Sequence, residues 1–240
     1  MAWYSDKLTA DTAEQSGTHR FGATTITDGI QQPVWDHGGQ YTHISAAATL
    51  YLTSSDDSDT TEVTVSGTDA NGASQVAVAD ATGQTPVALP GTWLSATRAY
   101  VSGSVAPAGD IYFAESDTYT AGVPDTQSKV KAKIVAGNNQ TLMAIYVVPA
   151  GYTFHAEGWT LGYTGGTSAE VLFNIWMQES DGVPRVHCRQ RIDTPRPFSR
   201  EFYHHWTAPA GARVWVTAQR TSGSGTVEVS TDFEGHIVAV

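Results

Sequence analysis

Polarity alternates residue by residue through almost every patterned stretch of this 240-residue chain, and no long segment repeats at the helical period. In "EVTVSGTDANGASQVAVAD", Val63 and Val65 alternate with Thr64 and Ser66. Val76 and Val78 repeat the pattern on the return, with Asn71-Gly72 as the turn between them. A period of two sends successive side chains to opposite faces of a sheet. The fold is therefore expected to be all-β, and 23 glycines with 10 prolines supply the punctuation that many short strands need.

Pro-Ala-Gly occurs at 107–109, 149–151 and 209–211, each time just before an aromatic-bearing alternating stretch. With proline second and glycine fourth in a type I turn, each copy reads as a corner where a strand must stop. After the second copy Tyr152, Phe154 and Ala156 fall on one face, and Thr153, His155 and Glu157 on the other. After the third, Val214, Val216 and Ala218 oppose Arg213, Trp215 and Thr217.

Charge suggests how the chain divides. Residues 1–127 hold 15 acidic and 3 basic side chains, whereas 128–240 hold 9 and 10. The polar stretch "AGVPDTQS" at 121–128 sits at that break and is expected to be a linker. Three parts follow: an extended N-terminal arm (1–30), an acidic β domain (31–127), and a C-terminal β domain (128–240). The last is expected to be a jelly-roll-like or immunoglobulin-like sandwich of roughly seven strands. The arm has too few apolar residues to anchor itself, so it is expected to order against a neighbour, with Trp3 and Tyr4 as anchors.

Several function classes lose support. A net charge of -11 argues against a nucleic-acid surface, which is normally basic. No apolar run approaches the ~20 residues of a membrane span, and "MAWYSDKLTADT" has no charged-then-apolar leader, so cytoplasmic synthesis is expected. The one cysteine, Cys188, allows neither a disulfide framework nor a Cys-rich zinc site and reads as a buried small hydrophobe. No GxSxG, GxxxxGK[ST] or HExxH pattern occurs, and neither an enzyme nor a bound cofactor is expected.

Four clusters carry the remaining chemistry. Asp56, Asp57, Asp59 and Glu62 lie in "SSDDSDTTE", which reads as a solvated tip, with calcium as the sharper alternative. Asp36, His37 and His43 lie near one turn, while His204 and His205 are adjacent and so point to opposite faces. His155 and His187 read as ordinary strand residues. Seven Trp and ten Tyr could build a sugar-stacking platform, the feature that a glycan-binding module would need. Two basic strands stand out. Lys129, Lys131 and Lys133 share one side of "SKVKAKIV", opposite Val130, Ala132 and Ile134. Arg185, His187, Arg189 and Arg191 share one side of "PRVHCRQRI", opposite Val186, Cys188, Gln190 and Ile192. Both faces are candidates for binding an acidic partner, including a second copy of the chain.

Read in series, "VWDHGGQYTHISAAATLYLTSSDDSDT", "EVTVSGTDANG", "ATRAYVSGSVAPAGDIYFAES", "SKVKAKIVAGNNQTLMAIYVVPAGYTFHAEGW" and "APAGARVWVTAQR" resemble virion structural proteins of tailed bacteriophages. The resemblance spans roughly residues 33–220. It implies a non-enzymatic β-rich particle component, a homo-oligomer whose partners are other virion proteins and whose location is the virion. Capsid decoration is the first station implied, and the tail or portal vicinity the second.

Overall fold

The computed structural model describes residues 15–103, 105–202 and 206–240, with side-chain surroundings from residue 17 onward. In chain order its strands begin with β1 (Gln15–Ile26), β2 (Gln32–Pro33), β3 (Leu50–Ser54), β4 (Glu62–Asp69), β5 (Ser74–Asp80) and β6 (Val87–Ala88). Next come β7 (Trp93–Val101), β8 (Ile111–Glu115), β9 (Tyr119–Thr120), β10 (Val123–Pro124), β11 (Val130–Ile134) and β12 (Ile145–Val147). The last are β13 (Tyr152–Gln178), β14 (Pro184–Ile192), β15 (Phe198–Glu201), β16 (Thr207–Ala208) and β17 (Arg213–Ala239). The only helical element among the described residues is a single 3-10 turn, Gln127–Lys129. The chain is all-β.

Two compact units divide it. A small-sheet unit comprises Gly22–Thr24 and Gln32–Met143. A long-strand unit comprises the described residues up to Phe21, Thr25–Gln31 and Ala144–Val240.

The small-sheet unit holds a four-stranded sheet in the order β11-β8-β3-β6, a three-stranded sheet β5-β4-β7, and the β9-β10 pair. Leu52, Phe113 and Ile134 from the first sheet and Val63, Val65 and Trp93 from the second are fully buried. The hairpin between β4 and β5 turns at Gly72, whose φ is 77°, and the Asp69 carboxylate ties it by accepting from the N–H groups of Asn71 and Ala73. The hairpin expected at Asn71-Gly72 forms, and its register decides which face each strand's valines take. Thr64 pairs with Val78 and Ser66 with Val76, so the valines of the return strand share the outer face, while Ala77 and Ala79 lie opposite Val65 and Val63. Val76 is 66% exposed and Val78 50%.

The long-strand unit is built on two strands of 27 residues, β13 and β17, paired antiparallel along their length in a sheet of order β1-β17-β13-β14. Among the roughly seven strands expected, "YTFHAEGWTLGY" and "AEVLFNIWMQES" run on as β13, and "ARVWVTAQR" and "TVEVSTDFEGHIVAV" as β17. Ladder irregularities between Gly165 and Val171 mark a corner. Gly165, Gly166 and Ser168 there, and Gly223 and Gly225 opposite, all have positive φ. Gly223 is required twice over: a Cβ would lie 2.5 Å from the carbonyl oxygens of both Thr167 and Ser168. The Tyr163 hydroxyl, buried, donates to the Ala169 carbonyl across the bend (2.5 Å).

On one side of the corner β12 and β14 flank the long pair; on the other β1, β15 and β16 do. The two layers face each other. Tyr146 of β12 meets Phe154 edge-to-face at 5.6 Å, Arg20 of β1 sits 4.4 Å over the Tyr146 ring, and Arg200 of β15 reaches Cys188 Sγ of β14 at 3.6 Å. A single sheet folded over thus does the work of a sandwich, with Phe173, Ile175, Val216 and Phe233 wholly buried between its layers.

Several expectations about organisation change. Residues 15–26 are not an arm waiting for a neighbour; they are strand β1 of this chain's own sheet, with Ile26 wholly buried. Trp3 and Tyr4 lie outside the described residues. The expected linker is an internal part of the small-sheet unit. Its Gly122 (φ +75°) presses so closely on the Ser54 carbonyl that a Cβ would stand 1.8 Å from it. β11 pairs with β8, so 128–143 belong with the preceding residues and the units change at Met143/Ala144. Moving three lysines one way and residues 1–21 and 25–31 the other leaves net charges of -7 and -4 by sequence, so the charge break does not mark the boundary.

The Pro-Ala-Gly corners also resolve. In the second, Tyr152 N–H donates to the Pro149 carbonyl at 3.3 Å. In the third, Ala212 N–H donates to Pro209 at 3.0 Å. Proline therefore opens each turn and glycine is its third residue, with φ of 80° and 77°, one place earlier than the type I reading. The first copy is different. Asp59 is buried and receives the N–H groups of Ala108 (2.8 Å) and Gly109 (2.9 Å), with the Ser54 hydroxyl at 2.5 Å. Part of the supposed solvated acidic tip is thus a clamp on a distant loop. Asp59→Ala is expected to cost about 3 kcal/mol, since charged hydrogen bonds are lost and two N–H groups are left without partners. Urea unfolding reads this directly, and an unchanged midpoint would show that the loop does not depend on the clamp.

Candidate functional site

The two basic strands were the sequence's main candidates, and a one-residue bulge alters each of them. In β11 the register with β8 slips between Val130 and Ala132, which makes Lys131 the extra residue. Its side chain is only 1% exposed. The ammonium donates to the carbonyls of Thr42 (2.9 Å) and Ser128 (2.7 Å) and pairs with Glu115 at 2.8 Å, which uses all three of its donors. Burial pulls its pKa down, only partly offset by Glu115. Lys133 pairs with Asp110 at 2.7 Å and lies 5.6 Å over the Tyr112 ring, with 13% of its side chain exposed. Lys129 reaches the Ser116 carbonyl at 3.3 Å. The expected shared lysine face is corrected: Lys131 is an internal cation, and Lys133 is committed within the unit.

In β14 the slip falls between Ile175 and Trp176 of its partner, leaving His187 as the extra residue. Arg189 and Arg191 pair with Asn174 and Leu172, whereas Arg185 pairs with Met177, whose side chain points between the layers. Arg185 therefore does not share a face with the other two, again because the extra residue inverts the alternation. All three arginines are exposed, on the terminal strand of the sheet order. Their contacts are local: Arg185 to Asp181 at 2.6 Å, Arg189 Nε to Asn174 Oδ1 at 2.8 Å, and Arg191 to Glu170 at 3.4 Å. Exposed pairs of this kind hold their partners weakly and leave the guanidinium available to other anions.

Beside Arg189 lies a feature that alternation alone did not single out. Trp176 and Trp215 are cross-strand partners stacked at 6.2 Å with planes 9° apart, and Trp176 Nε1 donates to Thr217 Oγ1 at 2.9 Å. Both rings are half-buried, whereas Trp35, Trp93 and Trp159 are core residues. The sequence signal was one aromatic at an outward position in each of two strands, but pairing them requires the register.

The most perturbed titrating groups are in the small-sheet unit. Burial pushes the Asp36 carboxyl up to about 7, against the Leu142 N–H bond and Lys133, which lower it. Its Oδ2 accepts from Leu142 at 2.9 Å, while Oδ1 is shut off without a hydrogen-bond partner. His37 beside it is held down near 4 by burial and then by Lys133. Its ring stands edge-on to Trp35 at 5.0 Å and to Tyr112 at 6.0 Å, and Trp35 and Tyr41 continue the run to His43. These groups knit a loop to the core.

Among the other histidines, His155 stacks on His236 at 5.0 Å, and His236 Nδ1 lies 3.0 Å from Glu157. His187 meets the Trp206 ring at 5.5 Å. His204 and His205 lie outside the described residues. Cys188 is buried as expected, and burial pushes its thiol up. Among the described residues no set of three or more His, Cys, Asp or Glu is arranged to hold a metal ion.

No protein-family model matches the chain, and no curated protein matches it in sequence. Weak likenesses exist to solved virus particles. One chain of the infectious bursal disease virus Gt strain superposes at a TM-score of 0.23 with 11% identity, over 95% of this chain and 73% of that one. The T=1 particles derived from infectious bursal virus give 0.27 and 9%, over 94% and 70%. The VP2 subviral particle of the same virus gives 0.24 and 9%, over 94% and 72%. Superpositions this loose speak for neither a shared topology nor a shared task.

Proposed function

We propose that this chain is a structural protein of a tailed-bacteriophage virion, a capsid decoration protein that binds the major capsid shell and neighbouring copies without catalysing a reaction. The serial resemblance of residues 33–220 supports the virion. The observation that carries docking is strand β14, where Arg185, Arg189 and Arg191 stay exposed at the end of the sheet order in a chain of net charge -11. Exposed guanidinium groups held only by weak local contacts favour an acidic partner, while the remaining acidic surface repels wrong contacts. A station near the tail or portal is the nearer alternative. A glycan-binding role draws its support from the Trp176–Trp215 stack.

Arg185→Glu, Arg189→Glu and Arg191→Glu together are expected to cut incorporation into particles at least tenfold while leaving thermal unfolding nearly unchanged, because these side chains carry little of the fold. Full incorporation of the triple variant would remove β14 from the docking surface. Copy number then locates the station: a count matching the shell subunits supports decoration, and one matching a tail ring supports the alternative. Saccharide binding lost on Trp176→Ala would instead favour the glycan module.

A further inference from the structure

We infer that β5 is a self-pairing edge, through which two copies of this chain join their three-stranded sheets into one. The inference holds whether or not the protein belongs to a particle.

Three observations converge on this strand. First, β5 ends the order β5-β4-β7, with β4 on one side and no described strand on the other. The opposite end of the sheet is closed: Val101 N–H donates to Asn139, and Thr141 N–H donates to Ala99. Second, the ladder fixes which backbone groups face outward. Ala81 N–H donates to Thr61, and Asp69 N–H donates to Ala73, so the odd-numbered residues of β5 turn toward β4. In an antiparallel pair the direction alternates. The N–H and C=O groups of Ser74, Val76, Val78 and Asp80 therefore point away from the sheet. Third, the same residues carry the exposed apolar side chains, Val76 and Val78. Ser74–Asp80, "SQVAVAD", has no lysine and no proline, the usual means by which a solvated edge is blunted.

The strand fits itself. Antiparallel pairing about a two-fold axis at Ala77 puts Val76 opposite Val78 of the second copy and Ser74 opposite its Asp80. All four pairs fall at positions whose backbone groups face outward, so each can exchange two hydrogen bonds. The one charged side chain in the segment meets a serine and not its own equivalent. Shifting the register by two residues either way leaves a Ser74 or an Asp80 unpaired at each end and opposes identical valines. The in-register arrangement is isologous and closes at two copies. It makes a six-stranded sheet and sets the exposed valines of the two copies side by side on one face, each burying part of its side chain against its cross-strand partner.

Sedimentation of the full chain is expected to show a dimer, and Val76→Lys with Val78→Lys is expected to yield a folded monomer whose melting temperature no longer depends on protein concentration. A wild-type protein that stays monomeric at every soluble concentration, or a double-lysine variant that stays dimeric, overturns the proposal. Register is read by cysteine pairing. Val76→Cys and Val78→Cys are expected to cross-link under oxidation only when the two variants are mixed, with the wild type and its buried Cys188 as background. Cross-linking of either variant alone overturns the register.

Discussion

Replacing Lys131 with methionine is expected to destabilise the protein by about 3–5 kcal/mol, the cost of removing one partner from a buried ion pair. The loss has a specific source. Lys131 neutralises Glu115 and also supplies hydrogen atoms to the carbonyls of Thr42 and Ser128, so one substitution strips three acceptors. Burial already pulls the lysine's pKa down against Glu115, which means that the charge is held at a cost. Much of the loss should accordingly return in Lys131→Met/Glu115→Leu, where no carboxylate is left unpaired. Denaturant unfolding of the two single variants and the double variant tests this as a cycle. Additive losses would mean that Lys131 acts through its backbone contacts alone. Lys131→Glu should be worse than methionine. A failure of that variant to assemble would therefore report misfolding and say nothing about docking.

Asp36→Asn is expected to make the protein more stable above neutral pH and to remove a slope from its pH–stability curve. The folded carboxyl titrates at about 7 and the unfolded one near 3.8. Between those values the folded state holds the extra proton, so this group favours folding at low pH. That advantage is lost as pH rises toward 7, beyond which the ionised carboxylate is a constant penalty. Three pKa units set an upper limit of about 4 kcal/mol, which the partial exposure of the residue as a whole reduces. Lys133 and Asp110 act on the same carboxyl, and His37, held near 4, is neutral from pH 5 upward. The asparagine oxygen keeps the bond from Leu142, and its amide takes the place of an oxygen that already lacks a partner. Melting temperatures from pH 5 to pH 8 should converge at the acid end and separate at the basic end. Parallel curves would mean that Asp36 is ionised in the fold.

Strand content was legible in the alternation because burial on one face leaves a period of two, and Val63, Val65, Phe154 and Val216 all lie inside as that period requires. What the period cannot contain is an inserted residue. Lys131 and His187 are each one residue too many for their ladders, and each reverses the faces beyond it. One lysine therefore went inside, and one arginine parted from its neighbours. The exposure of Val76 and Val78 has a related cause. Alternation says that two residues share a face, while the turn decides which face it is, and Asp69 sets that register. The Asp59 clamp was beyond reach because its partners, Ala108 and Gly109, are backbone groups some fifty positions away with no side-chain signature. The divide at Met143 was hidden by β11, which pairs backward with β8, so neither charge nor glycine content changes where the units do.

The folded-over sheet has a mechanical corollary. Because β13 and β17 each run through both layers, the layers share two continuous strands and the ladder between them. A pull on Gln178 is resisted by covalent chain passing straight into Tyr163 and Phe154. The corner at Gly223 and Ser168 is thus a crease in one continuous pair of strands, through which a load on one layer passes to the other along the chain.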